Sequence, residues 1–129
     1  MVDLYQYEGF VDGVTSEDSK SNDKYMHKTA SLANEGLDVP RIITAAMGLA
    51  GEVGEFNDIV KKIFFQGKPY NKENKEKLEN ELGDIMWYWA QGCMALKLDP
   101  YKVLENNIKK LESRYPGGKF TIKSSEERY

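Results

Sequence analysis

Two pairs of acids, each spaced three apart, are the side chains of this sequence best suited to chemistry. Glu52 and Glu55 fall in Gly48-Leu-Ala-Gly-Glu-Val-Gly-Glu-Phe56, and Glu81 and Asp84 in Glu81-Leu-Gly-Asp-Ile-Met-Trp-Tyr88. Residues i and i+3 leave a helix on one side, so each pair becomes a double carboxylate if its segment is helical. Four carboxylates drawn together repel one another and are stable only around cations. Oxygen donors with no His or Cys among them select Mg²⁺, with Mn²⁺ as the alternative, over zinc. Metal beside carboxylate suits water attack on a phosphoester: the ion neutralises phosphate charge and the carboxylate takes the proton. Either pair alone would sit equally well on a solvated helix face. The reading depends on the two pairs meeting.

Helices must bring them there. Pro40, Pro69, Pro100 and Pro116 punctuate the chain, and the stretches between them repeat with a helical period. A first helix is predicted over about 17–35, its end marked by Asn34 and Gly36. The second is the clearest. Asp38 can cap it, Pro40 fits its first turn, and Ala46, Leu49, Val53, Phe56, Val60 and Ile63 form a stripe that stops at Gln66-Gly67-Lys68-Pro69. A third helix, capped by Asn71 and running to about Lys97, places Leu78, Leu82, Ile85, Trp89 and Leu96 on one face. Asp99-Pro100 restarts the chain as a fourth helix to about Tyr115, with Val103, Leu104, Ile108 and Leu111 inward. Residues 119–123 alternate like a short strand. Short loops between four helices predict an all-α, antiparallel four-helix bundle. Each acid pair lies beside its helix's apolar stripe, so packing the stripes together would gather the carboxyls at the edge of the seam. Gly48, Gly51 and Gly54 cost roughly 0.8–1 kcal/mol each inside a helix, which points to close approach by another helix or a ligand.

Composition limits the alternatives. The chain has 129 residues, 40% apolar and 30% charged, with a formal charge of −3. Residues 1–60 carry 11 acids and 4 bases, whereas 101–129 carry 4 and 7. An acidic first half argues against a nucleic-acid binder, whose footprint would be basic. One cysteine (Cys93) and one histidine (His27) rule out an internal disulfide and an internal structural zinc site. No apolar run approaches a membrane span, and Met1-Val2-Asp3 lacks the layout of a signal peptide, so the cytoplasm is the expected location. A di-iron carboxylate bundle would need Glu-x-x-His, which the chain lacks.

The segment 48–62, Gly-Leu-Ala-Gly-Glu-Val-Gly-Glu-Phe-Asn-Asp-Ile-Val-Lys-Lys, followed by Glu81-Leu-Gly-Asp-Ile85, resembles the MazG-type nucleoside triphosphate pyrophosphohydrolases. That family carries E-x-x-E, a variable gap and E-x-x-D; here 25 residues separate Glu55 from Glu81. Asn107-Ile-Lys-Lys-Leu-Glu-Ser-Arg-Tyr-Pro116 is similar to its downstream N-x-x-K-L-x-x-R-Y-P segment. The likeness covers about 25–118. It implies the fold of the all-α NTP pyrophosphatases and Mg²⁺-dependent cleavage of a (d)NTP between the α and β phosphates. It further implies a homodimer or homotetramer, with no nucleic-acid or membrane partner. A dUTPase-like or phosphoribosyl-ATP pyrophosphohydrolase activity would use the same cage. A non-enzymatic helical interaction module is the reading of a different kind.

By resemblance, Glu52, Glu55, Glu81 and Asp84 hold metal, and Glu52 or Glu55, Glu52 foremost, positions the water. Lys61 and Lys62 would meet phosphate, or equally form a helical ion pair with Asp58. Asn107, Lys110 and Arg114 share one face of the fourth helix as further phosphate ligands, or as a solvated basic face. Tyr88, one turn after Asp84, offers a ring for the base to stack on, or packs in the core. Trp87 points away from the Trp89 stripe, which suits a subunit interface. The expected organisation is an arm (1–16), a catalytic domain (17–118) and a polar tail (119–129).

Overall fold

The structure, a computed structural model, describes residues 1–127, and every regular element among them is an α-helix. The chain divides into two compact units, Met1–Val39 and Pro40–Tyr129.

The first unit holds α1 (Leu4–Gly13), α2 (Glu17–Lys20) and α3 (Asn22–Asn34). What reads as an arm is a helix: Asp3 caps α1 by accepting from the Tyr5 N–H at 2.9 Å. The single helix expected over 17–35 is two. Ser21 is extended, and its hydroxyl accepts from the Lys24 N–H, restarting the helix one residue after α2 ends. A serine inside a helical pattern offers the backbone that alternative, and here it prevails. Lys20 holds α2 against α1, donating to the Asp12 carbonyl at 2.8 Å and pairing with the Asp12 carboxylate. Gly36, at φ +100°, turns the chain out of α3.

The second unit is built on α4 (Val39–Phe65) and α5 (Lys72–Ala95), with α6 (Pro100–Arg114) and α7 (Ile122–Glu126) following. Pro40 sits in the first turn of α4, as expected. Gly67, at φ +74°, ends that helix while the Gln66 and Lys68 N–H groups close on the Lys62 carbonyl. Asn71 then caps α5, and the buried Asn74 donates from Nδ2 to the Pro69 carbonyl at 2.6 Å, fixing the turn to the helix it feeds. Asp99 caps α6 from the position expected. The alternation at 119–123 does not make a strand. A lone alternating run has no partner to pair with, and Thr121 instead caps α7 by accepting from the Ser124 N–H.

Contacts between α4 and α5 run antiparallel. Arg41 donates to Gln91 Oε1 at 2.6 Å, Ala45 faces Gly92, Gly48 faces Tyr88, and Glu52 meets Glu81. Val60, Ile63 and Phe64 of α4 share a cleft with Tyr70 and with Leu78 of α5. Along α5 these contacts fall at positions 78, 81, 88, 91 and 92. Leu78 on α5 and Val60 and Ile63 on α4 belong to the stripes that hydropathy marks, and the other contacts lie beside those stripes. Asn74, Cys93 and Ala95 are buried, while Leu82 and Leu96 stay half exposed; on α4, Ala45 is buried while Ala46 and Val53 are exposed. Part of each apolar stripe is thus uncovered.

Of the three glycines in the first motif, only Gly48 carries a close approach. A Cβ there would overlap the Tyr88 ring, whereas one at Gly51 or Gly54 would meet nothing within 4 Å. At Gly92, across the same seam, an added Cβ would lie 3.7 Å from the Ala45 Cβ, an ordinary contact. Gly48→Ala should thus cost about 1–3 kcal/mol in urea unfolding. Gly92→Ala should be neutral or gain up to about 1 kcal/mol from helix propensity. Equal effects of the two would contradict the seam.

Candidate active site

Glu52, Glu55 and Glu81 each direct a carboxylate oxygen into one small region, all three atoms lying within 4.8 Å of one another. The seam explains how. Ala45, Gly48 and Glu52 form one line on α4, and Glu81, Tyr88 and Gly92 form the facing line on α5. Small residues at Ala45, Gly48 and Gly92 let the backbones close, and that closure carries Glu52 against Glu81. Glu55 lies on the next turn of α4 and is the exposed member of the group.

The electrostatics follow from that placement. Oε2 of Glu52 and Oε2 of Glu81 are buried, and neither has a hydrogen-bond partner. Two such carboxyls can satisfy each other only by sharing a proton or a cation. Without a cation the proton is favoured. Glu81 is raised from 4.5 to about 7, first by its hydrogen bond with Glu52, then by desolvation, then by the charges of Glu55 and Glu52. The orphaned oxygens and the all-oxygen donor set fit a hard divalent cation.

Asp84, expected as the fourth acid, is exposed and stands outside the group of three. Its Cα is on the same helix, but the turn of α5 that brings Glu81 inward leaves Asp84 at the seam's margin. Lys61 and Lys62 both reach back to Asp58, at 3.2 Å and 2.6 Å, and their hydrogen bonds hold its carboxyl below the usual carboxylate range. Tyr88 is half-buried against Gly48, with its ring edge-on to Trp87 at 4.9 Å between centroids. Trp87 is 56% exposed. Asn107 is exposed on α6. Lys110 and Arg114 line a separate cavity with Ser113, Pro116, Ser124 and Glu127, and no hydrogen bond or ion pair among the described residues joins them to the seam acids.

Sequence reasoning overlooked three contributors. Asn74 and the Arg41–Gln91 pair fix the two ends of the seam that holds the acids; their polarity hid them from a search for apolar periodicity. Ser124, in the tail, shares the basic cavity, and only the Pro116-Gly117-Gly118 reversal hinted that the chain returns there.

The raised pKa of Glu81 makes a signed prediction. In the metal-free protein the folded state binds an extra proton between 4.5 and about 7. Stability from that proton is complete below 4.5 and is lost as pH rises through about 7. Melting temperature in chelator should therefore fall across this window, and Glu81→Gln should flatten the fall. Excess Mg²⁺ should reverse it at the upper end, since a cation then does the proton's work.

Comparison with known proteins supplies the family. The model of the MazG nucleotide pyrophosphohydrolase domain matches residues 42–118, which is most of the second unit and includes the seam, the acids and the α6 motif. The Gene 37 protein of Mycobacterium phage L5 is 44% identical over 73 residues, 56% of this chain and 64% of that protein. The chain thus spans less than two thirds of that relative's length. No solved structure matches. Among the described residues, no helix is long and apolar enough to cross a membrane. With its two acid motifs on facing helices of an all-α unit, and the match running from α4 to the turn after α6, the chain belongs to the MazG nucleotide pyrophosphohydrolase family.

Proposed function

We propose that the protein hydrolyses (deoxy)nucleoside triphosphates to nucleoside monophosphate and pyrophosphate in a Mg²⁺-dependent reaction, in the cytoplasm. The observation that carries this is the pair of buried, unpartnered Oε2 atoms on Glu52 and Glu81, beside Glu55, inside the matched domain. Glu52, Glu55 and Glu81 would hold the cation, with Asp84 at the margin as a further ligand. Mg²⁺ there would supply neutralisation of phosphate charge and a more acidic water. Glu52 is fixed by the seam and would orient the attacking water; Glu55, facing solvent, would accept and release its proton. Lys61 and Lys62 would exchange Asp58 for phosphate, and Asn107, Lys110 and Arg114 would take the pyrophosphate end. Tyr88, immobilised on Gly48, would offer its remaining face to the base. The catalytic domain would cover 17–118, flanked by arm and tail.

A homo-oligomer, dimer or tetramer, belongs to the same proposal. Val53, Leu82, Met86, Trp87 and Leu96 are each about half exposed beside the seam, and Leu104 and Ile108 of α6 are no better covered. Apolar faces of this kind on paired helices are the usual interior of an obligate interface. Light scattering should return a multiple of 14.8 kDa, and Trp87→Glu should shift it toward one copy. An active wild-type monomer at micromolar concentration would contradict this.

The activity test is a panel of the eight common (d)NTPs with Mg²⁺ in ¹⁸O-labelled water. Label should enter the monophosphate and not the pyrophosphate. Label in pyrophosphate would mean attack at the β-phosphorus, and free phosphate as first product would mean γ cleavage. Glu55→Gln and Asp84→Asn should each lower kcat by about 100-fold or more with the helical spectrum unchanged. Near-wild-type rates in both would remove the cage. Asp58→Asn, which frees both lysines, should lower KM about two- to threefold if they meet phosphate.

A further inference from the structure

α6 does not end the ordered chain. Tyr115 closes it by donating its N–H to the Leu111 carbonyl, and Gly117 and Gly118, at φ +87° and +71°, then reverse the direction. Only glycine adopts two successive residues of that kind without strain. The Gly118 N–H returns to the Tyr115 carbonyl, and the Phe120 ring lies on the Tyr115 ring at 5.8 Å between centroids. The reversal is therefore clamped, and it lays α7 beside the last turn of α6.

Between the two helices lies a cavity of about 430 Å³ lined by Lys110, Ser113, Arg114, Pro116, Ser124 and Glu127. That volume falls within the range of small-ligand sites. Its chemistry is anion-binding. Lys110 and Arg114, four apart, are like charges on one helix face, an arrangement unfavourable without an anion. Neither has an ion pair or hydrogen bond among the described residues, although Arg114 is half-buried. Ser124 is also half-buried and lines the cavity, and its hydroxyl has no hydrogen-bond partner among the described residues. Among the described residues, Glu127 is the one carboxylate in the lining.

We propose that residues 119–127 are part of the phosphate site: Ser124 joins Lys110 and Arg114 as a ligand of a pyrophosphate group, and Glu127 limits how much negative charge the cavity holds. The proposal rests on Lys110 and Arg114 meeting phosphate, and it adds a segment beyond the matched domain, which ends at residue 118. The clamp gives it a structural basis, since Phe120 on Tyr115 sets where Ser124 is presented.

The test is calorimetric titration of the full chain with inorganic pyrophosphate, in chelator and at fixed ionic strength. Ser124→Ala should weaken binding about tenfold, the loss of one hydrogen bond to a charged group. Phe120→Ala should reproduce that loss by releasing the clamp. Glu127→Gln should tighten binding about threefold. Helical spectra and melting curves that match wild type exclude misfolding. Wild-type affinity in Ser124→Ala and Glu127→Gln, with Lys110→Ala and Arg114→Ala impaired, would overturn the tail's role and leave the α6 reading intact. Unchanged affinity in Lys110→Ala and Arg114→Ala, or no binding by wild type, would overturn both.

Discussion

Two carboxyls that meet out of water across a helix seam must share either a proton or a cation, and Glu52 and Glu81 meet in that way. Much of the second unit can be understood as the means of enforcing this contact. Ala45, Gly48 and Gly92 allow the two backbones to approach, the Tyr88 ring fills the space that Gly48 leaves, and Arg41–Gln91 and Asn74–Pro69 secure the two ends. No single one of these is strong. Together they set Glu52 facing Glu81 across the seam. A site of this kind is preorganised by packing, which leaves Oε2 of Glu52 and Oε2 of Glu81 without a partner.

The cost of that design appears in the apolar surface. Leu49, Phe56, Val60, Ile63, Leu78, Ile85 and Trp89 are half-buried as hydropathy requires, but Val53 and Leu82 stay exposed while Glu52 and Glu81 meet. Among the described residues, a single copy then buries Ala45, Cys93 and Ala95 as its apolar core and leaves larger side chains half in water. Such exposure is unfavourable for a lone chain, since each half-exposed Leu or Val forgoes on the order of 1 kcal/mol. It becomes reasonable if another copy covers these residues. Acids that meet and apolar residues left uncovered beside them are thus one constraint, from which the proposed cation site and the proposed interface would both follow.

The same arrangement sets how much could be read from the sequence. Caps and breakers are local, and they were legible: Pro40, Gly67, Asn71 and Asp99 stand at the helix ends they foretell. So was the approach of Glu52, Glu55 and Glu81, because spacing alone puts them near the seam. Asp84 shows the limit. A helical wheel treats it as equivalent to Glu81, and only the register of α5 against α4, fixed by Gly48 against Tyr88 and Ala45 against Gly92, separates the two. The break at Ser21 was hidden because a serine is compatible with either a helix interior or a cap, and the hydroxyl's bond to Lys24 decides it. At 119–123, alternation suggested a strand, yet no second strand exists among the described residues to pair with it, and the Thr121 cap prevails.

Acids and cations stand apart within one chain, and hydrolysis of a nucleotide has to bring them together. Within one chain Lys61 and Lys62 are engaged by Asp58, and Lys110 and Arg114 face α7 rather than the seam. A nucleoside triphosphate placed with its α-phosphorus at Glu52, Glu55 and Glu81 needs cations at its far end. Uncompensated, its phosphates would add to charges that already repel. Two arrangements meet the need: release of the lysines from Asp58, or the α6–α7 cavity of a second copy brought over the first copy's acids. The second explains more. It would use the uncovered face of α6, would give the uncovered apolar residues of α4 and α5 a partner, and would turn cations that have no ion pair among the described residues of one copy into the counter-charge of the other copy's substrate. Catalysis would then require assembly for an electrostatic reason, independent of any need for stability.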